Sequence, residues 1–141
     1  MFVIIMGCGR VGARLAHMLV AAGHEVTVMD ANVNAFARLG SDFQGTTLLG
    51  GGVDQEILRR AGIERADAFV AATQGDNRNI MASQIAKHVF GVKNVVTRIY
   101  DPLRADTFTT LGLHAISPTM LGANRFFQEV TGSEPVEQLL S

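Results

Sequence analysis

Tryptophan is absent from the chain, tyrosine occurs once, and its 141 residues include only three prolines and one cysteine. A solitary Cys8 excludes an internal disulfide and a cysteine-based zinc site. Neither sign of charge is in excess: lysine plus arginine number 12, aspartate plus glutamate 13, for a net charge of −1. General electrostatic attraction to nucleic acid or anionic lipid is therefore not expected, and any phosphate binding must be local. Long hydrophobic runs are missing as well. Met1 to Met6 and Ala66 to Thr73 fall far short of the roughly 20 residues that cross a bilayer. No signal sequence precedes the first strand-like run, so a soluble, cytoplasmic chain without direct membrane insertion is expected. The four histidines, His17, His24, His88 and His114, have no metal-ligand spacing, and no metal is expected.

What the chain does have is 48% apolar residues, 15 glycines and a regular alternation of patterns. Phe2 to Met6 is a continuous apolar run rich in branched side chains, the pattern of a strand buried on both faces of a parallel sheet. Val11, Leu15, Met18 and Leu19 then recur at helical spacing as far as Gly23. Glu25 to Met29 reads as a second strand ending in Asp30, and Ala31 to Leu39 as a short helix. Thr46 to Leu49 is strand three, followed by a helix capped by Asp54 and closed by Gly62. Ala66 to Ala72, Asn94 to Ile99 and His114 to Ile116 complete a set of six strands, with a helix over Asp76 to Phe90. Asp101-Pro102 and Ser117-Pro118 each put a capping side chain before a proline at the first helical position. The alternation predicts an α/β fold, a Rossmann-type doubly wound parallel six-stranded sheet of order 3-2-1-4-5-6. It occupies residues 1–131, and 132–141 reads as a polar tail or linker.

Gly7, Gly9 and Gly12 form G-x-G-x-x-G between a strand and a helix. The first glycine suits a tight turn, the second lets backbone approach a phosphate, and the third lets helix and strand pack closely. Helix amides are left aimed at an anion. Asp30, at the end of strand two, can accept hydrogen bonds from both ribose hydroxyls, and its charge disfavours a 2′-phosphate; capping the next helix is its other reading. Arg10 sits where a guanidinium can pair with phosphate oxygens. Asp54, Thr73, Asp76 and Asn79 fall at helix starts near the C-terminal edge of the sheet, where this fold binds ligands, and Arg98 ends strand five at the same edge. Cys8, beside a helix N-terminus, is either a more easily ionised thiol or a small filler of a tight turn.

The runs G-C-G-R-V-G at 7 to 12, G-H-E-V-T-V-M-D at 23 to 30, L-R-R-A-G-I at 58 to 63, A-D-A-F-V-A-A-T at 66 to 73 and D-N-R-N at 76 to 79 together resemble the RCK, or KTN, domain. T-R-I at 97 to 99 and G-L-H-A-I-S-P at 112 to 118 extend the likeness over nearly the whole chain. The resemblance implies a cytoplasmic regulatory domain, peripheral to the inner membrane through a potassium channel or transporter subunit. It also implies a homodimer or a higher ring, possibly an octamer, and an adenine nucleotide ligand (NAD/NADH or ATP/ADP) bound without catalysis. By position Gly7, Gly9, Arg10, Val11 and Gly12 would hold phosphates and Asp30 the ribose. Thr73, Asp76, Asn79 and Arg98 would hold the rest of the ligand or a neighbouring subunit, and the helix from Pro118 would cross onto a partner domain. One departure concerns the adenine: the family usually has Gly-Asp after strand three, and Gly51 stands in the place of the aspartate. The smaller C-terminal domain often attached in that family is not expected within these 141 residues.

Two other functions are compatible with the pattern. The NAD-binding domain of an oxidoreductase would need a substrate pocket and a proton donor that the chain is short of room to supply. An oligomerisation module with a disused nucleotide site would retain the fold and lose the ligand.

Overall fold

The computed structural model describes residues 1–136. Six strands, β1 (Phe2–Met6), β2 (Glu25–Asp30), β3 (Thr46–Leu49), β4 (Ala68–Ala71), β5 (Asn94–Arg98) and β6 (His114–Ile116), form one sheet. Its order is β3-β2-β1-β4-β5-β6 and every pairing is parallel, as the alternation predicts. The α-helices are α1 (Arg10–Ala21), α2 (Gln55–Ala61), α3 (Asp76–Gln84), α4 (Pro102–Thr110) and α5 (Pro118–Thr131). The part of the polar tail at 137–141 lies outside the described residues.

Pleating of β1 divides the core in two. Phe2, Ile4 and Met6 face Leu58, Ala82 and Ala86 on one side, whereas Val3 and Ile5 meet Ala13, Ala16 and Leu39 on the other. Ile4 and Ile5 are completely buried, each contributing about 1.5–3 kcal/mol relative to exposure. A strand covered on both faces explains why the first six residues carry no polar alternation. The chain passes from β1 outward to β3, then crosses back to β4 on the far side of β1, so the winding direction reverses between β1 and β4. A crevice opens beyond the strand ends at such a reversal.

Three local expectations are revised. The segment expected as a helix from Ala31 to Leu39 winds as a 3-10 helix, Val33–Leu39. Its cap is Asn32, whose side chain accepts from the Asn34 amide, so Asp30 is free of that role. The helix expected from Asp76 to Phe90 is α-helical to Gln84 and continues as a π-helical stretch, Ile85–Val89. Phe90 donates its amide to the carbonyl of Ile85, five residues back, and both side chains pack against the core. Strand four starts at Ala68 rather than Ala66, because Ala66 still bonds to Ile63 in a 3-10 turn and Asp67 turns its carboxylate to the amide of Phe2 at 2.7 Å.

Both predicted proline starts are observed. Asp101 caps α4 through the Leu103 amide, and Ser117 caps α5 through the Met120 amide. None of the residues of α5 is buried, although it carries Leu121, Phe126, Phe127 and Val130. No described helix is long and apolar enough to cross a membrane.

Candidate functional site

The glycine turn leaves β1 with Gly7 at a φ of +111°, a conformation that L side chains rarely adopt. A Cβ here would also stand 2.8 Å from the carbonyl carbon of Ala72, at the end of β4. Gly12 lies below the turn, where a Cβ would overlap the carbonyl oxygen of Gly7. This close approach seats α1 directly on β1. Gly9, by contrast, has nothing within 4 Å of the position a Cβ would take, so its backbone faces open space. It precedes α1 without any side chain capping the helix. The first-turn amides and the positive end of the helix dipole are thus directed into the crevice.

Asp30 holds this turn in place. Its Oδ2 accepts the amide of Cys8 at 2.8 Å, and its Oδ1 accepts the amide of Asn32 at 2.8 Å. Each carboxylate oxygen has a second lone-pair direction, so the same group can accept from a diol in the crevice. Cys8 itself is fully buried among Val26, Val28 and their neighbours. Burial, with Asp30 adding to it, pushes its thiol pKa up, and Arg38 only partly opposes this. Cys8 is therefore the small filler of the turn rather than an easily ionised thiol.

The crevice encloses about 700 Å³ and runs along the C-terminal ends of β1 to β5. Gly7, Gly9, Arg10, Val11, Asp30, Thr73 and Arg98 all line it, which brings together seven of the residues singled out in the sequence. Gly12 supports the floor from behind. Asp54 is turned to the start of α2, accepting from the amides of Glu56 and Ile57 at 2.9 and 3.4 Å. Asp76 accepts the Tyr100 amide at 2.9 Å and faces Arg104 at 3.8 Å.

Asn79 is wholly buried and uses all of its hydrogen-bonding capacity within the protein. Its Oδ1 accepts from the amide and the hydroxyl of Thr73 at 3.0 and 2.6 Å, and its Nδ2 donates to the carbonyls of Thr73 and Arg98, both at 2.9 Å. It ties the ends of β4 and β5 together beneath the crevice. Arg98 reaches back over this staple, donating to the Ala72 carbonyl at 3.4 Å and to the Tyr100 hydroxyl. Its Nε is buried with no partner among the described residues. Burial draws its pKa below the ordinary guanidinium value, against the pull of Asp76.

The sequence did not single out Arg38, Arg78 or Tyr100, yet all three line the crevice. Arg78 is in the first turn of α3, as Arg10 is in the first turn of α1. A search for basic side chains in first turns that follow strand ends would have found it. Arg38 approaches the carbonyl of Cys8 at 3.5 Å from the 3-10 helix. At the β3 end, Gly50 and Gly52 are packed against Ile57 and Met6, whereas Gly51 has open space around its missing Cβ. Among the described residues no carboxylate lines the crevice there. His114, at the start of β6, lies instead beside Lys87 and Lys93 in a small hollow away from the crevice. Among the described residues there is no cluster of metal-ligating side chains.

A parallel sheet wound in both directions, with a glycine turn and an uncapped helix N-terminus at its reversal point, defines a Rossmann-class domain. Residues 3–118 match the TrkA-N domain family, and the chain belongs to it. It is 46% identical over 138 residues to the Trk system potassium uptake protein TrkA of Streptomyces coelicolor, an overlap of 96% of this chain and 62% of that protein. The chain thus spans about three fifths of the length of some of the curated relatives it matches and about a quarter of others. Among solved structures, the Shewanella denitrificans Kef C-terminal domain in its AMP-bound form superposes with a TM-score of 0.78 at 22% identity, covering 94% of this chain and 80% of that one. GsuK bound to ADP gives 0.78 at 22%, over 94% of this chain and 34% of that one, and the GsuK channel bound to NAD gives 0.76 at 23%, over 90% and 22%.

Proposed function

We propose that this domain is a regulatory, adenine-nucleotide-binding part of a potassium uptake system, acting on the cytoplasmic side beneath a membrane transporter or channel subunit. The observation that carries the reading is the open anion cradle at Gly9, beside a carboxylate positioned for a ribose. In support, the Streptomyces relative is a Trk system potassium uptake protein, and fold neighbours hold AMP, ADP and NAD. Residues 1–131 would form the binding unit, with 132–141 leading out of it.

In this reading Gly7, Gly9, Arg10 and Val11 hold phosphate, Gly12 sets their height, and Asp30 binds the ribose diol. Thr73 and Arg98 border the next part of the ligand. Asp54, Asp76 and Asn79 act at one remove, by fixing the loops that line the crevice. Among the described residues Asp30 is the one carboxylate on the lining, and both of its oxygens already hold backbone amides, an arrangement suited to holding a ligand. A nucleotide that prefers one of two assembly states shifts their balance by its difference in affinity, and that difference is coupled to ion flux. The exposed apolar face of α5 supports self-association of the domain, as a dimer or a larger ring.

Calorimetric titration of the chain with ATP, ADP, AMP, NAD, NADH and NADPH tests this function. The expected result is saturable binding of at least one nucleotide, exclusion of NADPH, and affinity reduced about tenfold or more in Asp30→Ala, the scale of a lost charge-assisted hydrogen bond. No binding by any nucleotide would overturn the reading and favour an oligomerisation module.

A further inference from the structure

The crevice continues past Asp30 toward the outer strand β3, where its lining changes character. With phosphate at the open backbone of Gly9 and a ribose diol at Asp30, the attached base extends away from the glycine turn, between the ends of β2 and β3. The walls there include Ala31, Asn32 and Arg38 on the β2 side, and Gly51 and Val53 after β3.

Adenine and guanine differ along the edge that enters this end. Adenine has an amine donor at C6 and an acceptor at N1, whereas guanine has a carbonyl acceptor at C6 and donors at N1 and C2. A side-chain carboxylate facing that edge would accept from the adenine amine and repel the guanine carbonyl. Without a fixed acceptor, either edge is met by water or by backbone groups, which supply donors and acceptors alike.

Three glycines follow β3, and only the middle one has room for such a side chain. A Cβ on Gly50 would stand 2.6 Å from the side chain of Ile57, and one on Gly52 would overlap the sulfur of Met6. Gly51 has open space at that position and does not take a left-handed backbone conformation, so neither packing nor strain demands a glycine there. Across from it, the Oδ1 of Asn32 is engaged by the Asn34 amide. The side chain of Asn32 therefore offers a base N–H donors, and both purines have ring-nitrogen acceptors at N3 and N7 to meet them. Arg38 and Val53 supply surface for the faces of the ring, with Arg38 Nη1 3.5 Å from the Cys8 carbonyl. Stacking on a guanidinium or an apolar wall tolerates any base, because every base has a π-face.

Resting on the nucleotide reading above, we propose that Gly51 makes the base end of this crevice unselective, so that the site takes guanine nucleotides as readily as adenine nucleotides. It reads phosphate at the glycine turn and the ribose diol at Asp30, and its ligand class is purine nucleotide.

The test is calorimetric titration of the full chain with ADP and GDP, for the native protein, Gly51→Ala and Gly51→Asp. Open space around Gly51 allows both variants to fold, which their melting curves check. The readout is the ratio of the two affinities, so any general loss from an added negative charge near the ligand cancels. The native protein and Gly51→Ala should bind ADP and GDP within about fivefold of each other. Gly51→Asp should favour ADP by about tenfold or more, the scale of one hydrogen bond to a charged group. A native preference above about fivefold for either base, an equal shift in Gly51→Ala and Gly51→Asp, or a ratio left unchanged by Gly51→Asp would each overturn this assignment while leaving nucleotide binding intact. No binding of either nucleotide would overturn both.

Discussion

Gly12 and Gly7 are packed so closely that any side chain on the first would overlap the carbonyl oxygen of the second. Gly12→Ala must therefore lift α1 from β1. Overpacking of this kind costs about 1–3 kcal/mol or more, and a lowered denaturation midpoint would show it. Gly9→Ala provides the contrast. Its methyl group enters open space at the mouth of the cradle, so stability should stay within about 1 kcal/mol while nucleotide affinity falls. Loss of stability in both variants, or in neither, would contradict these separate roles.

Asn79 makes four internal hydrogen bonds in a fully buried position. Asn79→Ala leaves the Thr73 amide and the Arg98 carbonyl without that partner, at a cost of about 3 kcal/mol. Asn79→Asp should be worse near neutral pH, because a carboxylate oxygen would then face two carbonyls. Its defect should ease as the pH falls and the introduced acid is protonated. Urea unfolding of both variants across a pH series measures this directly.

Cys8 should resist thiol reagents in the folded protein and react readily in denaturant, since it is completely buried and its pKa is raised. For an acid whose folded pKa is raised, the protonated form favours the fold. Its contribution to stability is complete below the unfolded thiol pKa of about 8.5 and is lost as pH rises through the folded value. Cys8→Ala should remove this component, so its stability should fall less steeply than that of the native protein above about pH 8.5. Rapid labelling of the native fold at neutral pH would contradict the burial argument.

The apolar face of α5 bears on assembly. Phe126 is 75% exposed and Val130 83%, so replacing both with serine removes no core contact. The double variant should melt within about 1 kcal/mol of the native chain, as surface changes usually do. Sedimentation should show it shifted toward a smaller species. A native chain that is monomeric at all concentrations would sink the proposed role of this face.

The sequence by itself determined the architecture. The double burial of Phe2 to Met6, the alternation of strands and helices and the capped proline starts specify six parallel strands and their order, because each signal is local and repeats with a fixed period. The glycine fingerprint and Asp30 were equally legible, since backbone geometry restricts which residues can stand at a tight turn and a close approach. The bounds of the 3-10 and π-helical stretches were not, because packing against the sheet outweighs weak local preference there. The division of labour among the polar residues also had to await the tertiary structure. Thr73 and Arg98 reach the crevice while Asp54, Asp76 and Asn79, at comparable positions near strand ends, turn away to hold loops. Spacing along the chain brings a side chain to the correct edge of the sheet. Whether it faces a ligand or a backbone amide depends on which unpaired groups the fold delivers beside it, and those come from residues far away in sequence.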